Sequence, residues 1–164
     1  MRAFRNISKK QQDHLKAIYP ALDNKTSESI DGWQCVAITV FDHWLTREEF
    51  ENCFTHRSLD LQTDIDQRWQ LLYRFLAEDV SCYQYKYRSV GCLIFKEPRS
   101  RSLFVSRLSR SSIAGALRVV IPEYKAVFTQ DYDDTCWLYF KCRASTEPLL
   151  QKIRELGMYT LERI

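Results

Sequence analysis

Cys53 and His56 lie three residues apart, and a thiol beside an imidazole is the minimal pairing of a nucleophile with its base. A hydrolase built on them needs a third group to orient the imidazole, and no residue at a fixed spacing supplies one. The other histidines are His14 and His43, the latter between Asp42 and Trp44. A His/Asp metal site and a plain polar turn are both open there, but no H-E-x-x-H or facial-triad spacing occurs. The six cysteines, Cys35, Cys53, Cys82, Cys92, Cys136 and Cys142, form no C-x-x-C pair and no zinc-type spacing with histidine. All but Cys53 stand in strand-like, apolar or aromatic surroundings, where a free thiol behaves as a small buried hydrophobe. Four glycines in all leave little for a phosphate-cradling loop, and G-x-G-x-x-G, Walker A and G-x-S-x-G are absent. The expectation is a chain without catalytic residues, metal or cofactor.

Two charged segments point to binding instead. Between Lys96 and Arg118 there are six basic residues and one acid, a local +5 against a total of +3, so the remainder carries −2. Within it Arg99, Arg101, Arg107 and Arg110 are interleaved with serines, and both types donate well to phosphate oxygens. Tyr83, Tyr85 and Tyr87 on a neighbouring strand would add a stacking platform for single-stranded nucleic acid. The other reading is a solvated loop with tyrosines half-buried under a helix. The second segment is acidic, with Asp131, Asp133 and Asp134 around Tyr132. It is either a solvated turn or a docking tip for a basic cleft, since complementary charge speeds encounter and an exposed aromatic anchors it.

The elements that position these residues are legible from period and punctuation. Ser8 precedes a weakly apolar helix from Lys9 to Tyr19 that Pro20 ends. A polar loop from Asp23 to Ser29 leads to Trp33–Phe41, a buried, β-branched strand. Thr46 and Glu49 form a capping box, with Leu45 and Phe50 at staple positions, for a short helix to Phe54. A longer helix starts at Thr63 or Asp64 and carries Ile65, Trp69, Leu72, Leu76 and Val80 at helical spacing. From Cys82 to Phe95 the period becomes two, Gly91 marking a bulge or bend. Lys96 to Ser102 reads as a loop, Leu103–Leu108 as a short strand, and Ile113–Val120 as a helix capped by Ser111 or Ser112 and stopped by Pro122. Tyr124–Thr129 and Cys136–Lys141 flank the acidic tip as an antiparallel hairpin. Thr146 caps a helix from Glu147 to Leu156, with Pro148 in its first turn and Gly157 as its stop, before a closing strand through Met158, Tyr159 and Leu161.

Strands and helices interleave without a strict βαβ repeat, which implies one α+β domain spanning 1–164, a mainly antiparallel sheet packed with three to five helices. The 164 residues are 45% hydrophobic, 13% aromatic and 27% charged, with four prolines, a composition that excludes disordered and collagen-like chains. At this length roughly 68–70% of the unfolded surface can be buried without disulfide or metal. A net +3 is too small to imply nucleic acid or anionic membrane by itself. No stretch of the chain approaches the ~18 apolar residues of a membrane span, and the amino-terminal residues lack the apolar core of a signal peptide. The expectation is a cytoplasmic protein with reduced thiols.

Two resemblances attach to particular residues. Phe54-Thr55-His56-Arg57-Ser58 resembles the F-T-H-R-S stretch near the start of ribonuclease III domains. There the next helix holds Mg²⁺ through carboxylates, whereas here it reads Asp66-Gln67-Arg68-Trp69-Gln70. In size and make-up, and on Ile121-Pro122-Glu123-Tyr124 to Lys141 continued by Glu147 to Leu161, the chain resembles the small cytoplasmic immunity proteins that bacteria encode beside contact-dependent and other polymorphic toxins. That resemblance implies tight, non-covalent occlusion of the active site of a cognate toxin domain, with no catalysis by the chain itself. Inhibitors of nucleases in that group are often acidic, and this chain departs from them in being slightly basic. The alternative is a nucleic-acid-binding module using the Arg/Ser-rich segment 99–118.

Overall fold

The β-branched and aromatic runs of the sequence assemble into one antiparallel sheet. The computed structural model describes residues 2–23, 32–88, 92–109, 117–131 and 135–163. Its strands are β1 (Phe4–Asn6), β2 (Gln34–Thr39), β3 (Tyr83–Tyr87), β4 (Leu93–Pro98), β5 (Arg118–Ile121), β6 (Ala126–Gln130), β7 (Thr135–Phe140) and β8 (Tyr159–Glu162). They lie in the order β1-β4-β3-β5-β6-β7-β2-β8, each pair antiparallel. The described helices are α1 (Lys9–Ile18), α2 (Arg47–Thr55), α3 (Leu59–Glu78), α4 (Arg101–Ser109) and α5 (Arg143–Glu155). The α+β class is therefore as expected.

The sheet is covered on both faces, which explains why its central strands read as nearly continuous apolar runs rather than as clean alternations. On one face Val36, Ile38, Val119, Phe128, Leu138 and Phe140 pack against Trp69, Leu72 and Leu76 of α3, Phe104 and Leu108 of α4, and Leu149, Leu150 and Ile153 of α5. On the other, Tyr85, Leu93, Phe95, Val120, Val127 and Tyr139 meet Leu15 of α1 with Tyr19 and Leu22. Placement of α1 is set by Gln12. Its side-chain amide donates to the Phe95 carbonyl (2.7 Å) and accepts from the Phe95 amide (2.9 Å), completing the edge of β4 where the short β1 does not reach.

Several boundaries differ from the sequence reading, each for a local reason. Leu103–Leu108 is helical: Phe104 and Leu108, four apart, share the buried side of α4, and Ser100 Oγ accepts from the Leu103 amide (3.2 Å) as its cap. β4 accordingly runs on to Pro98. The helix expected over 113–120 is replaced at its end by β5. Pro122 disfavours helix in the residue before it, and Ile121 is extended at φ −120° and ψ 90°; positions 110–116 lie outside the described residues. α3 begins four residues before Thr63, capped by Ser58 Oγ, which accepts from the Leu61 amide (3.2 Å). α5 begins at Arg143 with Cys142 at its N-cap, so Thr146 is an interior residue, fully buried, whose hydroxyl donates to the Cys142 carbonyl (3.0 Å). Pro148 is interior as well. Gly157 does end the helix: at φ +83° it lets its own amide reach Arg154 O (3.0 Å) and the Met158 amide reach Ile153 O (3.4 Å).

Candidate interaction surface

Of the acidic hairpin tip, Tyr132, Asp133 and Asp134 lie outside the described residues. Asp131 is exposed, and its Oδ2 accepts from Trp137 Nε1 (3.2 Å). Trp137 in turn stacks on Trp44, with ring centroids 5.9 Å apart, and lies under the Arg163 guanidinium at 5.7 Å. The carboxylate at the start of the turn is thus held against the sheet by an indole.

The expected arginine segment is not a single loop among the described residues but passes from the end of β4 into α4. Arg99 and Arg101 are exposed, Arg107 is half-buried, and Arg110 lies outside the description. Arg101 and Arg107 are six residues apart on α4, hence about 120° apart around the helix. Arg101 borders a cleft of about 260 Å³ with an apolar floor that includes Leu76, Val80, Cys82 and Phe104. Nor do the tyrosines form a platform. Tyr85 is buried, Tyr83 and Tyr87 pack against the same core, and the Tyr87 hydroxyl donates to Leu22 O. Burial pushes the Tyr85 phenol above its ordinary value, as expected of a core residue.

The cysteines are unbridged. Cys82 and Cys136 are buried, and burial raises the Cys82 thiol to about 12; Cys142 departs from the sequence reading in being exposed. Cys53 is half-buried on α2 and His56 caps that helix through its backbone amide, donating to Asn52 O (3.0 Å). No hydrogen bond joins the thiol to the imidazole among the described residues. No group of three or more His, Cys, Asp and Glu there is disposed to hold a metal ion.

The F-T-H-R-S stretch is the joint between two helices. Thr55 and His56 end α2, Ser58 starts α3, and Arg57 pins the corner. Its Nε donates to Cys53 O (3.0 Å), its Nη1 to Gln62 Oε1 (2.9 Å), and its guanidinium lies 4.6 Å from the Phe54 ring centre.

This corner exposes apolar surface. α2 has no buried residue. Phe50 and Phe54, four apart and therefore on one side, pack ring to ring at 4.3 Å yet remain 41% and 39% exposed. Leu59 and Leu61 at the start of α3 are 87% and 41% exposed. Around them the charge is acidic: residues 42–66 hold seven carboxylates against Arg47 and Arg57, a net −5. Arg47 is itself paired with Glu51 (2.8 Å).

The amino end of α2 is fixed by its capping box. Thr46 Oγ1 accepts from the Glu49 amide (3.3 Å), while Glu49 Oε2 accepts from the Thr46 amide and hydroxyl, both at 2.8 Å. His43 spans from Asp42 Oδ1 (2.6 Å, Nδ1) to Glu49 Oε1 (3.2 Å, Nε2). The hydrogen bonds from Thr46, then His43, hold the Glu49 carboxyl down at about 2. Acceptance by Asp42 and then Glu49 raises the His43 imidazole above its ordinary value.

By spacing alone Phe50 falls at a local staple position, and no motif marks Phe54, Leu59 or Leu61 as a surface. The available signal was a Phe pair four apart on a nine-residue helix otherwise rich in Glu. The chain matches no protein-family model, no curated protein and no solved structure in the comparisons made with known proteins. Among the described residues no helix is long and apolar enough to cross a membrane.

Proposed function

We propose that the chain is a cytoplasmic immunity protein that binds a cognate toxin domain and occludes its active site, without catalysis of its own. The observation that carries this reading is the α2–α3 corner, where Phe50 and Phe54 stay exposed within a segment of net −5. Aromatic side chains desolvated at the centre of an interface and ringed by charge supply most of the binding energy in protein complexes. Carboxylates around them select a partner with a basic rim and speed its encounter. The overall +3 therefore poses no obstacle to a basic partner, because the acidic charge is concentrated where the aromatic surface lies. Asp131, Tyr132, Asp133 and Asp134 form a second contact in this proposal.

The test is to capture the partner with the tagged chain from its host at physiological salt, and then to express the captured protein alone. Growth arrest that is relieved by the wild-type chain and not by Phe50→Asp/Phe54→Asp supports the reading. A captured protein that is harmless, or relief that survives the double substitution, overturns it.

A further inference from the structure

A second unpartnered surface lies on β3 and β4, at the other edge of the sheet. The register sets Gln84 opposite Lys96 and Lys86 opposite Ile94, and Lys96 also opposite Asn6 of β1. Because alternate residues share a face, Gln84, Lys86 and Arg88 stand on one side together with Ile94, Lys96 and Asn6. The aromatic residues of these strands, Tyr83, Tyr85, Tyr87 and Phe95, take the opposite side and belong to the core under α1. Asn6, Lys86 and Arg88 are exposed and Lys96 is half-buried, so this end of the face is open.

The charge there is of one sign. Lys86, Arg2 and Arg88 all act on Lys96, whose ammonium is pushed below its ordinary value first by burial and then by those three cations. Among the described residues none of the four has an ion pair or a side-chain hydrogen bond. Arg5, which points to the other face, is paired with Glu97 at 2.7 Å. Lys86 and Lys96 stand at diagonal positions of neighbouring strands and repel each other, and among the described residues the four cations have no anionic partner to offset that repulsion.

We infer that the open face of β3 and β4, with Arg2, Lys86, Arg88 and Lys96, binds the phosphate backbone of a nucleic acid independently of sequence. Cations at diagonal strand positions stand about 7–8 Å apart and meet a polyanion as a row of point charges. The amides of Asn6 and Gln84 add the neutral donors that phosphate and sugar contacts use. An acidic protein fits less well, since its interface would want aromatic anchors and this face offers only half-buried Ile94.

The experiment is fluorescence anisotropy of a labelled single-stranded 20-mer titrated with the full chain between 50 and 200 mM salt. Four phosphate contacts give a slope of about −2.8 in log K against log salt, a weakening of about 50-fold across that range. Lys86→Ala/Lys96→Ala halves the slope to about −1.4 and leaves thermal unfolding unchanged or slightly raised. Phe54→Ala has no effect on oligonucleotide binding, which separates this surface from the α2 corner. Absence of binding at 50 mM salt overturns the inference. So does a slope the double substitution leaves unchanged, a loss on Arg101→Ala/Arg107→Ala instead, or equal competition by polyglutamate, which would assign the face to an acidic protein.

Discussion

Truncating Phe54 to Ala separates a surface ring from a core ring, because the two roles differ in magnitude. Phe54 is 39% exposed, and its identified contacts include the Phe50 ring at 4.3 Å and the Arg57 guanidinium at 4.6 Å. An aromatic pair contributes ~0.5–1.5 kcal/mol and an exposed cation–π contact ~0.5–1 kcal/mol. Loss of both costs about 1–2.5 kcal/mol on top of the area the ring buries, roughly 1–2 kcal/mol for a ring 39% exposed, while removal of a fully packed core ring costs ~3–5 kcal/mol. At about 2–4 °C per kcal/mol for a domain of this size, the two contacts alone lower Tm by about 2–10 °C in a chain that is otherwise folded. Leu72→Ala, at a site with no exposed surface, is the control and costs ~2–5 kcal/mol. As an interface anchor the same ring is worth at least ~2 kcal/mol of binding, roughly 30-fold in Kd. Denaturant unfolding of the variant beside titration of the captured partner measures both. A stability loss above about 5 kcal/mol would make Phe54 a core residue, and an unchanged Kd would remove α2 from the interface; either result refutes the reasoning.

Gly157→Ala is expected to cost about 1–2 kcal/mol, because φ +83° is a left-handed conformation that penalises a Cβ; calorimetry showing no change would mean the turn has rearranged. Thr146→Asp discriminates the two positions considered for Thr146: a cap would accept it, whereas the buried interior site leaves an unpaired charge and loses at least about 3 kcal/mol. The His43–Glu49 contact is expected to be complete between about pH 4.5 and 6.5. Glu49, lowered to about 2, contributes fully above its ordinary 4.5 and loses that contribution as pH falls through 2. His43, raised, contributes fully below its ordinary 6.5 and loses that contribution as pH rises through its folded value. An NMR titration should place His43 above 6.5 and return it toward 6.5 in Glu49→Gln; a wild-type midpoint at or below 6.5 contradicts the pairing.

What was legible in the sequence followed from local chemistry. Thr46, three residues before Glu49, forms the expected capping box, and Ser8 caps α1 through a further box with Gln11. The β6–β7 hairpin and the α3 stripe follow from period, and the closing strand from the glycine before it. Errors arose where two periods coincide over a short run. Leu103-Phe104-Val105-Ser106-Arg107-Leu108 satisfies both a strand alternation and an i, i+4 helix face, and tertiary packing of Phe104 and Leu108 against α3 and the sheet decides between them. Val119 and Val120 read as the end of a helix stopped by Pro122, although that proline also favours extended backbone in Ile121 before it, and Val119 and Val120 both lie in β5. The candidate surfaces were hidden for a different reason. Whether Phe50 and Phe54 are core or surface depends on what else covers α2, and whether Lys86, Arg88 and Lys96 converge depends on the β3–β4 register; neither is encoded in local spacing.

The strand order also fixes how the two candidate surfaces relate. Trp44 Nε1 donates to Glu162 O (2.9 Å), tying the segment that leads into α2 to β8, the last strand at one edge of the sheet. The cationic face involves β4 and β3, second and third from the opposite edge, with only β1 outside them. A ligand held by Lys86 and Lys96 therefore need not compete with a protein seated on Phe50 and Phe54. The two oppositely charged ends also have distinct salt responses. Contacts to phosphates release counterions and weaken steeply with salt, whereas an aromatic anchor depends on apolar burial and its acidic rim chiefly governs the on-rate. Substituting either surface should leave the other's binding constant unchanged within the ~0.3–0.5 kcal/mol expected of independent sites. A larger coupling would require a physical connection through the sheet, for which the packed rows of Val36, Leu138, Phe128 and Val119 between the two edges offer the continuous path.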